Sequence, residues 1–343
     1  MEHDWLLYLA IFSSSFAVAM AATPLSKKLS EKAGAIDMPR TRGMHSEPMP
    51  RMGGIAIVLG FLAAMGIAAL FIPEIQTMQF LGFIVGALII AVAGMIDDMR
   101  SLKPGMKLAL QIVAALVVIF SGTTVDFLNF HLPAVVKTLS IPITLIWIVA
   151  LTNAVNFIDG LDGLAAGVSA IAALTLLVLC ILTVSGLAVV LTAALAGSCL
   201  GFLPRNFNPA EVIMGDTGAQ FLGYVLAVSS ILGVFKAYAL LSVVIVSFVL
   251  ALPIFDTAFA ILRRFLAHKP IYSADRGHLH HRLVDNGYSH MQAVILLYVL
   301  SAVSGVIAIL IAVKNTRAIL VAAICVVIMA MMVYIYRKRT HSS

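Results

Sequence analysis

The chain has 343 residues, 62% of them apolar and only 11% charged, with a formal net charge of +6 and a mean hydropathy of +1.06. Soluble domains carry about 25% charged residues, so a water-soluble globular fold is excluded. The expectation is a single all-α, polytopic membrane domain, and the net positive charge needs no nucleic acid to explain it.

Apolar runs of about 17–25 residues cross a bilayer as helices. Eleven are predicted: 5–22, 53–72, 79–96, 107–122, 138–154, 164–184, 187–204, 217–234, 240–262, 292–313 and 318–336. Glu2 and Asp4 precede the first span, and Lys27 and Lys28 follow it. That is the reverse of a cleavable signal's charge pattern, so the span is read as retained, with the N-terminus outside. Alternation then places the C-terminus and six segments in the cytoplasm: 23–52, 97–107, 155–163, 204–216, 263–291 and 337–343. These segments hold 18 of the 22 Lys and Arg residues, as the positive-inside rule requires. Cys180, Cys199 and Cys325 fall within apolar runs and are read as packing residues.

The carboxylates follow the same division. Eleven of sixteen lie on the inner side under this topology, and only Asp256 falls within a predicted span. Transporters keep ionisable groups near the bilayer midplane, often in repeated halves. Neither pattern is visible, so the polar chemistry gathers at one face.

Four inner segments are richer than connectors need to be. "GMIDDMRSLKPGMK" sets Asp97 and Asp98 at the inner end of the third span, where adjacent carboxylates repel unless a cation shares them. "NAVNFIDGLDG" repeats Asn153, Asn156, Asp159 and Asp162 at three-residue intervals, which keeps neighbours on one side if helix continues. Its Gly160 and Gly163 allow a turn or a close approach. "PRNFNPAEVIMGDTGAQ" offers Asn206, Asn208 and Asp216, and Asp216 before Thr217 also fits a helix N-cap. The segment from Arg263 to Gln292 holds His278, His280, His281 and Arg282, beside Arg263, Arg264, Lys269 and Arg276. Without a nearby cysteine or an i,i+4 histidine pair it does not read as a zinc site, and imidazoles with arginines suit an anionic ligand such as phosphate. Oxygen ligands of this kind favour Mg²⁺, with Mn²⁺ as the alternative, and Mg²⁺ commonly shares one or two carboxylates with substrate phosphates. A nucleotide diphosphate with Mg²⁺, and phosphoryl transfer, follow from that donor set, and the membrane location implies that one substrate is a lipid.

The motifs "MPRMGG", "DDMRSLKPGMKLALQ", "NAVNFIDGLDGL", "FNPAEVIMGDTG" and "DRGHLHHRL" occur in this order between residues 49 and 283. Together they resemble the polyprenyl-phosphate N-acetylhexosamine-1-phosphate transferases. The resemblance implies transfer of a sugar 1-phosphate from a UDP-sugar to undecaprenyl phosphate, release of UMP, and dependence on Mg²⁺. It implies Asp216 as principal metal ligand, with Asn156 as a second. Asp97, with Asp98 beside it, becomes the base or orienter of the lipid phosphate, and Lys107 a phosphate-facing lysine. Asn153, Asp159, Asp162 and Asn206 are expected to line the nucleotide and sugar pocket, and His280, His281 and Arg282 to grip the diphosphate. The site is expected to be built from segments 23–52, 97–107, 153–163, 204–217 and 263–291.

Two departures refine this. The muramyl branch shows three histidines where this chain reads His280, His281, Arg282, which favours the GlcNAc-type branch over a phospho-MurNAc-pentapeptide transferase. Ile213 stands where many members carry an aromatic residue able to stack on uracil. A lipid or ion transporter and a catalytically silent scaffold are the readings of another class, and a homodimer is left open.

Overall fold

The computed structural model describes residues 5–38, 47–125, 139–183, 186–235, 240–266 and 278–314. Twelve α-helices are found among them: α1 (Trp5–Ala33), α2 (Gly54–Phe71), α3 (Met78–Met99), α4 (Pro104–Phe120), α5 (Ser140–Ile158), α6 (Leu164–Leu182), α7 (Gly186–Asn206), α8 (Gly215–Ser230), α9 (Leu240–Val249), α10 (Ala251–Leu266), α11 (Leu279–Asp285) and α12 (His290–Ala312). Between α1 and α2, strands β1 (Ile36–Asp37) and β2 (Met49–Pro50) pair antiparallel. Among the described residues eight helices are long and apolar enough to cross a membrane: α1, α2, α3, α5, α6, α7, α12, and α8 as continued to Val234. Helices satisfy most backbone groups internally, so this is the architecture a bilayer tolerates, and the protein is a multi-pass, all-α membrane protein.

One expectation is corrected. The stretch 240–262, read as a single span, is two helices meeting at Leu250. The N–H of Leu250 closes α9 on Val246 O (2.9 Å), and Ile254 N–H opens α10 on Leu250 O (3.1 Å). Pro253, the third residue of α10, has no N–H to donate and disfavours helix just before it. The predicted span 318–336, Cys325, Lys269 and Arg276 lie outside the described residues.

Helix α8 is the axis of the bundle. Every residue from Thr217 to Ser230 is buried, enclosed by α2, α3, α5, α6 and α7. Small residues make such crowding possible, since lipid offers no hydrophobic drive between helices and close packing must supply it. Gly54 of α2 lies directly on the backbone of Gly218, and a Cβ on Gly94 of α3 would overlap the backbone of Thr217. Deeper in, Phe61 of α2 meets Phe221 edge-on at 5.4 Å, and Phe83 of α3 stacks on Tyr224 at 5.7 Å. The Tyr224 hydroxyl donates to the Phe83 carbonyl (2.9 Å), so the ring's polar end is satisfied in an apolar setting.

Short connections make neighbouring helices antiparallel. The C-terminal ends of α1, α3, α5 and α7 therefore gather at one end of the bundle with the N-terminal ends of α2, α4, α6 and α8. The chain segment before α2 is tied there by Met52 N–H to Ser30 Oγ (2.9 Å), and by exchanges of Pro50, Gly53 and Gly54 with Ile213 and Met214 at 2.8–3.0 Å.

Candidate active site

Asp97 and Asp98 occupy the last turn of α3, and the next turn of chain leads to Pro104 at the start of α4. Proline suits that position, because the first helical N–H has no intrahelical partner. Lys107 therefore falls in the first turn of α4 and extends back over the α3 terminus. Its ammonium lies 2.5 Å from Asp97 Oδ2 and 2.6 Å from Asp216 Oδ2. The other Asp97 oxygen accepts from Leu102 N–H (2.6 Å). One cation thus joins carboxylates more than a hundred residues apart.

Asp98 points the other way, into the start of α8. Its Oδ1 accepts from Asp216 N–H (2.9 Å), and its Oδ2 from Thr217 N–H (3.0 Å) and the Thr217 hydroxyl (2.6 Å). Arg51 Nη2 stands 3.3 Å from Oδ1. A carboxylate on orphan N–H groups at a helix N-terminus is favoured by both hydrogen bonding and the helix dipole. The N-cap role that the sequence also allowed for Asp216 therefore belongs to Asp98, supplied from another helix. Asp216 is the second residue of α8, with its carboxylate on Lys107. Gly215 precedes it at φ +71°, where a Cβ would strike Arg51 O and the Asp98 carboxylate.

The "NAVNFIDGLDG" stretch does not continue as helix. Helix α5 ends at Ile158, and Gly163 takes φ +78° to start α6, so the expected single polar face splits. Asn153 turns into the bundle, donating to Gln111 Oε1 (2.7 Å) and Val149 O (2.8 Å). Asp162 is buried and accepts from Asn208 Nδ2 (3.1 Å) and Ala210 N–H (3.2 Å). Its own N–H is received by His290 Nε2 (2.9 Å). Asn206 spends both ends of its amide on backbone, accepting from Gly163 N–H (3.1 Å) and donating to Val212 O (3.0 Å). Asp162 and Asn206 thus lace two loops together, where they were expected to line a pocket.

Asn156 and Asp159 remain at the mouth, half-buried. Burial, then the charges of Asp216, Asp98 and Asp162, push the Asp159 carboxyl up to about 8. Asp159 therefore keeps its proton at neutral pH, while Lys107 and Arg51 are the cations in contact with Asp97, Asp98 and Asp216. Among the described residues no three His, Cys, Asp or Glu side chains form an all-protein metal cage. Oxygens of Asp97 and Asp216 nevertheless converge on the Lys107 ammonium, so the site accommodates positive charge. The oxygens of Asp216, Asp159 and Asn156 are hard donors of the kind that fit Mg²⁺.

The histidine segment closes over this mouth. Asp256 of α10 accepts from Leu279 N–H (2.7 Å), capping α11, and its other oxygen meets His278 Nδ1 (2.8 Å). His278 packs against Phe157 at 5.9 Å. His280 is buried directly against Gly160, and its Nε2 has no hydrogen-bond partner among the described residues. Burial, with His281 beside it, holds the His280 imidazole down to about 3, so it is neutral at physiological pH. His281 lies against it, ring centres 4.3 Å apart. Arg282 is exposed on α11 and is not brought to the carboxylates. Ile213 contributes backbone to the pairing with Pro50 and Gly53.

Sequence reasoning assigned no role to Arg51, Gln111, Thr217, Gln220 or His290. Two of these had a signal: Gln111 and Gln220 follow Lys107 and Asp216 by four residues, one helical turn on the same face.

Comparison with known proteins agrees with this arrangement. The glycosyl transferase family 4 signature matches residues 80–234, from α3 through α8. The chain is 37% identical to a Bacillus subtilis protein named probable undecaprenyl-phosphate N-acetylglucosaminyl 1-phosphate transferase, over 87% of this chain and 83% of the relative. It is 36% identical to the decaprenyl-phosphate N-acetylglucosaminephosphotransferase of Mycobacterium leprae, over 93% and 88%. A phospho-N-acetylmuramoyl-pentapeptide-transferase of Trichormus variabilis is 34% identical, over 77% and 74%. With that extent of similarity, and with the quoted motifs meeting at one end of the bundle, the chain belongs to glycosyl transferase family 4, among the polyprenyl-phosphate N-acetylhexosamine-1-phosphate transferases.

Proposed function

We propose that the protein transfers GlcNAc 1-phosphate from UDP-GlcNAc to undecaprenyl phosphate, releasing UMP, at the cytoplasmic face of the membrane. The observation that carries this reading is Lys107 held between Asp97 and Asp216. It is a cation between two carboxylates at the helix ends, where a lipid phosphate at the membrane edge meets a nucleotide diphosphate from water. Phosphoryl transfer asks for alignment and charge neutralisation more than for a protein nucleophile.

Asp216, Asp159 and the amide oxygen of Asn156 are the side chains that would hold Mg²⁺, through hard oxygens left at the mouth. The metal, when bound, neutralises charge on the diphosphate. Lys107 orients the acceptor phosphate, and Asp97 holds Lys107 in place. Both Asp97 oxygens are occupied by donors, and a carboxylate paired to an ammonium is a poor nucleophile. That favours direct attack by the lipid phosphate on the β-phosphorus, with UMP leaving with the bond's electrons. Neutral His280 and its neighbour His281 lie over the Asn156–Gly160 edge, where the donor would enter.

The choice of GlcNAc over a muramyl pentapeptide donor is supported by the relatives' names and by Arg282 in place of a third histidine. Purified protein with undecaprenyl phosphate, Mg²⁺ and a panel of UDP-sugars tests it. UMP release is expected with UDP-GlcNAc, and release with UDP-MurNAc-pentapeptide alone would overturn the assignment.

A further inference from the structure

One turn deeper than the charged residues lies a layer of three amides. Gln111 of α4 donates to Gln220 Oε1 of α8 (3.0 Å) and to Asn153 Oδ1 of α5 (3.4 Å). Asn153 Nδ2 returns a bond to Gln111 Oε1 (2.7 Å). Gln111 and Gln220 are each 2% exposed. Amides this deep in a membrane bundle are costly unless they satisfy one another, and these do.

The spacing ties this layer to the site. Gln111 follows Lys107 by four residues, Gln220 follows Asp216 by four, and Asn153 precedes Asn156 by three, so each amide shares a helix face with one site residue. Helices α4 and α8 are also joined at the site by Lys107 and Asp216, and α5 and α8 further in by Trp147 Nε1–H donating to Ser230 Oγ (3.1 Å). The amide layer is where α4, α5 and α8 are held together one turn from the site. The amide network centred on Gln111 adds a directional lock.

We infer that Gln111, Asn153 and Gln220 are positioning residues, which fix the axial register of α4, α5 and α8 and so bring Lys107, Asn156 and Asp216 together. None of the three touches a reacting group; each acts through the residue one turn away. The inference rests on the proposed phosphoryl transfer. A displacement of about 1 Å between aligned groups can cost on the order of a hundredfold in rate.

The test is UMP release from UDP-GlcNAc by protein reconstituted with undecaprenyl phosphate. Gln111→Met and Gln220→Met keep side-chain length and remove the bonds. Each is expected to lower kcat on the order of a hundredfold, with donor KM within about twofold. The double variant is expected to be no worse than Gln111→Met alone, because that substitution already removes the bonds that join the three amides. Gln220→Glu keeps an acceptor oxygen toward Gln111 and is expected to retain turnover within a few-fold. If Gln111→Met does not fold, the contrast between Gln220→Met and Gln220→Glu carries the same test. Losses that multiply in the double variant, a rise in donor KM with kcat unchanged, or wild-type kcat despite a lowered Tm would overturn the inference. An inactive wild type overturns the reaction itself, and the inference with it.

Discussion

The carboxylate of Asp98 holds both the backbone N–H and the hydroxyl of Thr217, at 3.0 and 2.6 Å, and so begins helix α8 from a neighbouring helix. Of the paired aspartates at the end of α3, Asp98 anchors the start of α8 and Asp97 holds Lys107. The two carboxylates avoid repulsion by pointing to different cations, Asp97 to Lys107 and Asp98 to Arg51.

Asp98→Asn is expected to destabilise the protein more than Thr217→Val. The first removes charge from a fully buried side chain that serves several donors, and hydrogen bonds to charged groups are worth about 1.5–3 kcal/mol. The second removes one hydroxyl, worth about 1 kcal/mol. Thermal unfolding in detergent ranks them, and the reverse order would remove the cap from this account.

Asp216→Asn is expected to nearly abolish turnover while leaving the fold intact, since its backbone N–H still reaches Asp98. The variant should also lose any stabilisation by added Mg²⁺. Turnover within a few-fold of wild type would take Asp216 out of the mechanism.

Asp159 gives a pH dependence with a definite sign. Its folded-state pKa is raised to about 8, so between the unfolded value and 8 the folded protein holds a proton that the unfolded chain does not. The resulting stabilisation is fully present only below the unfolded carboxylate value, falls steadily as pH rises toward 8, and is gone above it. Mg²⁺ competes for the same oxygens, so the Tm increase on adding Mg²⁺ should be larger at pH 8.5 than at about pH 6.5, and Asp159→Asn should flatten that difference. A Mg²⁺ effect that is independent of pH would show that Asp159 is not at the cation.

Gly160→Ala would place a methyl group on the His280 ring. With His280 buried, the histidine segment must shift. The expected result is a higher KM for UDP-GlcNAc, unchanged KM for undecaprenyl phosphate and a small change in Tm. Unchanged donor KM would mean that His280 plays no part in donor entry.

The sequence by itself determined the membrane class, the helical content and the grouping of chemistry at one face, because hydrophobic run length and charge position are local properties. It also pointed to Asp97, Lys107 and Asp216, which the fold brings within contact of one another. Tertiary structure alone decided which polar residues meet at Lys107 and which bond to other segments of the scaffold. Asp98, Asn153, Asp162 and Asn206 share the motifs of the site residues, yet each turns to a backbone group or amide on another segment. Periodicity could not reveal this, because helix α5 stops at Ile158 and the Gly163 turn redirects everything after it. Nor could it reveal that α8 is capped by α3, or that Asp256 of α10 caps α11 from outside its local chain. Those partners are distant along the chain, and they meet only once small residues have let the helices pack closely around α8.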